Sequence, residues 1–273
     1  LESHPDNWRK RIAYANYPGW RLDLSSLRSL YPFINKIAGT TLKRRLFKAG
    51  TFIILYSLCS AFLIPLLARQ TGRVPLPVLS NGSVKPLNMI YPLLNRHYVR
   101  PALRNTVNNV AHQIQKRNPG TEVRYLDGGF PFINGFPLLP HLSHNDGKKL
   151  DLAFYYKDHN GTPTNKSPSA IGYGACGEPH DNEPDTPLRC SQRGYWQYNI
   201  LKILVGWSTS KSLTFDEART RQLIIQLTKS PTVGKIFIEP HLVQRLKLTN
   251  NKIRFHGCQA VRHDDHIHIQ LQN

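Results

Sequence analysis

The longest uninterrupted apolar run is Ala49 to Ala68, AGTFIILYSLCSAFLIPLLA, twenty residues without a charge. About 20 such residues are what a helix needs to cross the hydrocarbon layer of a bilayer. Gly50, Ser57 and Ser60 are tolerated in a lipid-facing helix, and Pro65 lies near its end, where a kink costs less. The pattern predicts a transmembrane helix over 49–68. A core helix of a soluble protein is usually shorter and broken by polar positions. A cleaved signal peptide fits poorly, because residues 1–48 are longer than an ordinary leader's first region.

Beyond the apolar run, prolines 75, 77, 86 and 92 and the turn sequence Asn81-Gly82-Ser83 predict a linker over 69–93. Residues 94–117 place leucine, valine and isoleucine at helical spacing, interrupted before Pro101 and stopped by Asn118-Pro119-Gly120. Glu122–Leu126 reads as a short strand and Asp127-Gly128-Gly129 as a turn. The loop FPFINGFPLLPHLSH follows, then a strand LDLAFYY at 150–156. Residues 158–194 are polar and loop-like.

Thr214, with Glu217 three residues on, forms a capping-box pattern ahead of LIIQL, and Pro231 and Gly234 end that helix. KIFI at 235–238 is a strand, Pro240 opens the helical HLVQRLKL, and the chain is strand-like again from Ile253. Strands and helices mix without βαβ regularity. The expected fold is therefore α+β, a small antiparallel sheet with flanking helices and long loops, preceded by one transmembrane helix. The expected organisation is a basic N-terminal cytoplasmic segment (1–48), the membrane helix (49–68), a linker (69–93) and a folded domain (94–273).

Charge gives this layout a direction. The chain holds 36 Lys and Arg against 17 Asp and Glu, a net charge of +19. Lys43, Arg44, Arg45 and Lys48 precede the apolar run, while only Arg69 and Arg73 follow it closely. Basic flanks stay on the cytoplasmic side, so the folded domain is expected outside, beyond an inner membrane. So basic a surface favours an anionic partner: nucleic acid, acidic lipid or an acidic wall polymer. No recognised nucleic-acid motif accompanies the charge, so no nucleic-acid partner is expected. The four cysteines (Cys59, Cys176, Cys190, Cys258) form no C-x-x-C pair, which excludes a zinc ribbon and a thioredoxin-type motif. Cys176 and Cys190 bracket a polar loop; a disulfide between them and two free thiols both fit.

The chemistry lies at the far end, in VRHDDHIHIQL, residues 261–271. In an extended chain Asp264, His266 and His268 share one face, and His263, Asp265 and Ile267 share the other. Imidazoles beside Ile267 and Ile269 on a burying strand are costly unless paired or ligating. A second cluster, LSHNDGKKLDLAF, sets His144 seven residues before Asp151, with Gly147 allowing a tight turn between them. Two histidines and one carboxylate suit a zinc ion that keeps a fourth position for water. The same donor types serve non-haem iron, but there the first pair is normally His-x-Asp/Glu.

These motifs resemble those of the LAS metallopeptidases, above all the penicillin-insensitive murein endopeptidases. The shared patterns S-H-x-x-G-x-x-x-D and H-D-x-H-x-H stand here as SHNDGKKLD (143–151) and HDDHIH (263–268). The segment KIFIEPHLVQRL also resembles the strand and helix before that family's last motif. The resemblance covers roughly residues 94–273. It implies a hedgehog-like fold, Zn2+ as cofactor, and His144, Asp151 and His268 as metal ligands. It implies His263 and His266 as the catalytic histidines and a peptidoglycan peptide as substrate. The wider group places a glutamate base three residues before the last ligand. Asp265 stands there, leaving the base open among Asp265, His263 and His266. The alternatives are a zinc-containing wall-binding domain without catalysis and, on charge alone, a basic nucleic-acid-binding protein.

Overall fold

The computed structural model describes residues 41–138, 143–206, 210 and 212–272. The expected cytoplasmic segment 1–48 therefore lies outside the described residues up to position 40. The chain divides into two compact units, Leu1–Tyr56 and Ser57–Asn273. Of the first, only helical residues are described.

Helix α1, Thr41–Gln70, is long and apolar enough to cross a membrane, and it presents nearly all its apolar side chains outward. A π-helical turn at Cys59–Leu63 precedes Pro65. A widened turn of this kind is one way a helix takes in a proline, whose ring and missing N–H disturb the preceding turn.

The second unit continues with β1 (Val74–Pro75), β2 (Val84–Pro86), α2 (Ile90–Leu93), β3 (Tyr98–Val99), α3 (Pro101–Arg117), β4 (Val123–Tyr125), β5 (Lys149–Ala153), β6 (Tyr156–Lys157) and β7 (Pro163–Thr164). It ends with α4 (Thr186–Gln192), a 3-10 turn (Trp196–Asn199), α5 (Ile200–Val205), β8 (Thr214–Phe215), α6 (Glu217–Lys229), β9 (Val233–Phe237), α7 (Pro240–Arg245), β10 (Ile253–Arg254) and β11 (His266–Leu271). Six strands form the main sheet in the order β10-β9-β11-β5-β4-β2. Its two central strands divide their side chains by alternation. Leu150, Leu152, Ile267 and Ile269 are fully buried in the core with Ile236, where α3 and α6 add Leu103, Val107, Ile114, Leu223 and Leu227. Asp151, His266 and His268 take the opposite face.

The sheet is mixed, not purely antiparallel. β11 runs antiparallel to both β5 and β9, but β2 pairs parallel with β4 and β10 parallel with β9. The chain returns from β9 to β10 through α7, and that crossover forces the parallel pairing. The stretch expected to be a linker, 69–93, folds into the unit instead. β2 extends the main sheet, β1 pairs with β3, and Arg73 and Leu76 are buried. Pro75 and Pro86 end short strands and Pro92 sits in a short helix, positions that proline tolerates.

Three further expectations change. Thr214 is not the helix cap: it lies in β8, paired with Lys157, and Asp216 caps α6 by accepting from the Arg219 amide at 3.1 Å. The polar stretch 158–194 hides α4, whose cap Asp185 accepts from Leu188 N at 2.8 Å. The disulfide joins Cys190 to Cys258, with their Cα atoms 5.2 Å apart, and Cys176 remains a free thiol. Cys190 faces inward from α4 toward the 255–262 loop, whereas Cys176 sits in an irregular segment held to the residues before β11 by Gly177 N bonding Asp264 O at 2.8 Å.

A peptide map made without reductant should therefore recover the Cys190 and Cys258 peptides joined. A Cys176–Cys190 cross-link in that map would show this arrangement to be wrong.

Candidate metal centre

The register of two strands builds the centre. His268 in β11 lies directly opposite Asp151 in β5, so both side chains leave the sheet on the same face. His144 arrives from the loop before β5. Gly147 turns that loop with φ +73°, and a Cβ there would come within 2.9 Å of Arg73 Nε, so glycine is required on both counts.

The ligand atoms meet closely. His144 Nε2 is 3.2 Å from Asp151 Oδ1 and 3.1 Å from His268 Nδ1, and His268 Nδ1 is 2.8 Å from Asp151 Oδ1. A tetrahedral ion with bonds of about 2.0–2.2 Å spaces its ligand atoms about 3.3–3.6 Å apart, so the trio fits after opening by about half an ångström. His144, Asp151 and His268 could thus hold a metal ion. All three are buried.

Neighbours orient the trio. His144 Nδ1 donates to Gly128 O at 2.9 Å, which leaves the Nε2 lone pair facing Asp151 and His268. Tyr173 Oη donates to Asp151 Oδ2 at 2.7 Å, which leaves Oδ1 toward the histidines. Burial, with Asp151 adding to it, keeps Tyr173 well above the ordinary phenol range, so it stays a donor. Burial pushes His268 down to about 3, although Asp151 opposes it, and the neutral imidazole is the form that ligates. Its Nε2 has no hydrogen-bond partner among the described residues.

The two other expected histidines stand beside this trio. His266 Nε2 is 3.7 Å from Asp151 Oδ1. Its Nδ1 is held by Asp265 Oδ1, and the second oxygen of Asp265 accepts from Gly174 N at 2.6 Å. Gly174 has φ +84°, and a Cβ there would meet Leu201 O at 3.0 Å. His263 lies with its ring centre 4.9 Å from that of His266 and 5.5 Å from that of His268.

The alternation expected for 263–265 therefore fails. β11 starts only at His266, and the bend before it brings His263 to the metal side while Asp264 turns away. Asp264 pairs with Arg262 and lies 3.7 Å from His241 Nε2. Burial lowers His263 well below the ordinary imidazole range, and His266 and His268 push the same way.

Sequence reasoning missed several members. Glu239 Oε1 accepts the His263 amide at 3.1 Å, and Tyr198 Oη donates to Glu239 Oε2 at 2.5 Å. His256 is exposed as a residue, yet its ring lies 4.2 Å from Phe237 and 5.2 Å from His263, centre to centre. No local pattern announces Tyr173 or Glu239; for His256, the nearby Cys258 is a signal only once its disulfide partner is known. Phe130 stacks on Phe136 at 4.0 Å and meets Phe132 edge-on at 5.5 Å, so the loop aromatics form a cluster among themselves. Comparison with known protein families and with curated proteins finds no match for this chain.

Two outcomes follow. The purified protein should carry about one metal ion per chain by elemental analysis, His144→Ala and His268→Ala should lose it, and Tyr173→Phe should weaken metal affinity about 10–100-fold. Glu239 gives a pH signature. Burial, reinforced by Asp264, raises its carboxyl from 4.5 to about 7. The folded state then holds a proton that the unfolded chain has lost, so this group's contribution to stability falls as pH rises from 4.5 to about 7. Denaturation curves of Glu239→Gln across that window should be flatter with pH than those of the parent.

Proposed function

We propose that this chain is a membrane-anchored zinc peptidase that hydrolyses amide bonds in peptidoglycan peptides, as a murein endopeptidase or D,D-carboxypeptidase. The observation that carries the reading is the meeting of His144 Nε2, Asp151 Oδ1 and His268 Nδ1 within 3.2 Å of one another, with His266 alongside. Two nitrogens and one oxygen are a donor set that zinc takes in hydrolases. Bound there, zinc would supply an acidified water and a polarised scissile carbonyl.

The protein's own groups divide the remaining work. Asp265 spends one oxygen on His266 Nδ1 and the other on Gly174 N, so it orients the imidazole and is a poor candidate for the base. His266, with Nδ1 fixed in this way, presents Nε2 toward the ligand cluster. It is the group we assign to take the proton from water and return it to the leaving amine. His263 stands beside it as a donor to the developing oxyanion. Glu239 fixes the His263 backbone from behind.

Location agrees with this role. The Cys190–Cys258 disulfide suits an oxidising compartment outside the cytoplasm. α1 would anchor the chain in the inner membrane, with the basic residues before it on the cytoplasmic side. A net charge of +19 favours an acidic wall polymer over a neutral substrate. A second reading, a zinc-containing wall-binding domain without hydrolysis, draws support from the burial of all three ligands, each at most 2% exposed.

Digestion of purified sacculi separates the two. The full chain in detergent should release shortened muropeptides, seen by mass spectrometry, and a chelator should stop the release. His266→Ala should keep its metal and lose about 10²–10⁴-fold in rate. A zinc-loaded protein that leaves sacculi unchanged would establish the non-catalytic reading instead.

A further inference from the structure

The segment just past the membrane helix contains a helix built inside out. α2, Ile90–Leu93, turns Tyr91 and Pro92 inward. It leaves Met89, Ile90, Leu93 and Leu94 outward, between 44% and 55% exposed, and Leu79 in the preceding loop is 92% exposed. Surface helices ordinarily show polar side chains to water. Here the positions i, i+3 and i+4 that form one helical face (Ile90, Leu93 and Leu94) are all aliphatic.

The conformation is well fixed. Asn88 Oδ1 accepts from Ile90 N at 2.9 Å. Asn95 ends the helix with φ +54°, a left-handed value that asparagine tolerates better than most residues. Tyr91 is buried and its hydroxyl donates to Ile171 O. The apolar face is therefore presented by a firmly held turn.

Its position within the unit Ser57–Asn273 identifies the occupant. The buried Asn95 donates through Nδ2 to Ser60 Oγ at 3.1 Å. Ser60 belongs to α1 and lies nine residues before Arg69, about 13 Å along a helix axis. Around it, Phe62, Leu63 and Leu66 are exposed apolar side chains of α1. The outward face of α2 is thus beside a stretch of α1 that lies inside the apolar run, on the hydrocarbon side of the exposed Arg69. An apolar surface continuous with a membrane helix is covered by the same solvent as that helix.

We propose that Met89, Ile90, Leu93 and Leu94 form a membrane-docking surface that enters the outer lipid leaflet beside α1. The folded domain then rests on the bilayer through two contacts rather than swinging from one. The occupant is lipid acyl chain; a second copy of the chain or another protein on this face would be a different outcome.

The test uses the full chain in phospholipid vesicles. Single cysteines at Ile90, Leu93 and Leu94, in a Cys59→Ser, Cys176→Ser background, carry the environment-sensitive fluorophore NBD. Phe62→Cys serves as the lipid reference and Leu188→Cys, exposed on α4, as a second exposed position. Labels at 90, 93 and 94 should emit at the blue-shifted wavelength of the Phe62 label and dim at least about twofold with lipids brominated on their acyl chains. The Leu188 label should keep a water-like spectrum. Water-like emission at 90, 93 and 94 overturns the proposal. So does blue-shifted emission that brominated lipid leaves unquenched, which would mean that protein covers the face. An unquenched Phe62 label overturns it together with the membrane assignment of α1.

Discussion

The pairing of His268 with Asp151 across β11 and β5 is the contact on which the rest depends. It decides which face of the sheet is polar. With this register, Ile267, Ile269, Leu150 and Leu152 enter the core together and the imidazoles and carboxylate emerge together. A slip of one residue would send two histidines into the hydrocarbon core and expose the isoleucines. Hydrophobic burial on one face therefore holds the candidate metal centre on the other. Groups that would be costly to bury singly are placed where each has a partner: Gly128 O for His144, Tyr173 for Asp151 and Asp265 for His266.

The arm leading into β11 needs separate support, because it is not yet a strand when it delivers His263. It is held at several points. Cys258 is tied to α4, Glu239 grips the His263 amide, and Arg262 pairs with Asp264. Burial raises Asp264 to about 6, with Arg262 opposing, so the network keeps a carboxylate in a place that resists its charge. Such a cluster adds little net stability as a sum of pairs. Its visible effect is geometric, since it sets the bend that brings His263 beside His266.

Local signals carried part of this picture, and their reach explains what they missed. A glycine turn let His144 and Asp151 converge and alternation put His266 and His268 on one strand face, because both act over a few residues; the choice of His144, Asp151 and His268 as a trio came from the resemblance to the LAS metallopeptidases. The same alternation misplaced His263, since a pattern of period two assumes a strand that begins only at His266. Strands β5 and β9 and helices α3 and α7 emerged from short-range pattern. The cap of α6 shifted from Thr214 to Asp216 because tertiary pairing drew Thr214 into β8. Tyr173, Glu239 and the Cys190–Cys258 link escaped because each depends on chain segments 22 or more residues apart. Proline density also misled: it suggested an extended linker, whereas Pro75, Pro86 and Pro92 sit in two short strands and a helical turn.

That misjudged segment bears directly on the centre. Thr71 Oγ1 donates to Pro131 O at 2.8 Å, and Arg73 donates to Asn134 Oδ1 at 2.6 Å and to Asn145 O at 3.3 Å. Asn145 follows His144, and Arg73 Nε is the atom that leaves no room for a side chain at Gly147. Arg100 joins the same turn, its amide donating to Gly147 O at 2.8 Å and its guanidinium to Thr71 O at 3.1 Å. The residues directly after α1 therefore shape the loop that presents His144. A flexible tether would let the domain turn freely at the end of its helix. Here the residues that follow the helix, Thr71 and Arg73, are bonded into the loop that carries His144. A segment whose backbone groups and guanidiniums are committed to the His144 loop cannot be lengthened or cut without disturbing His144.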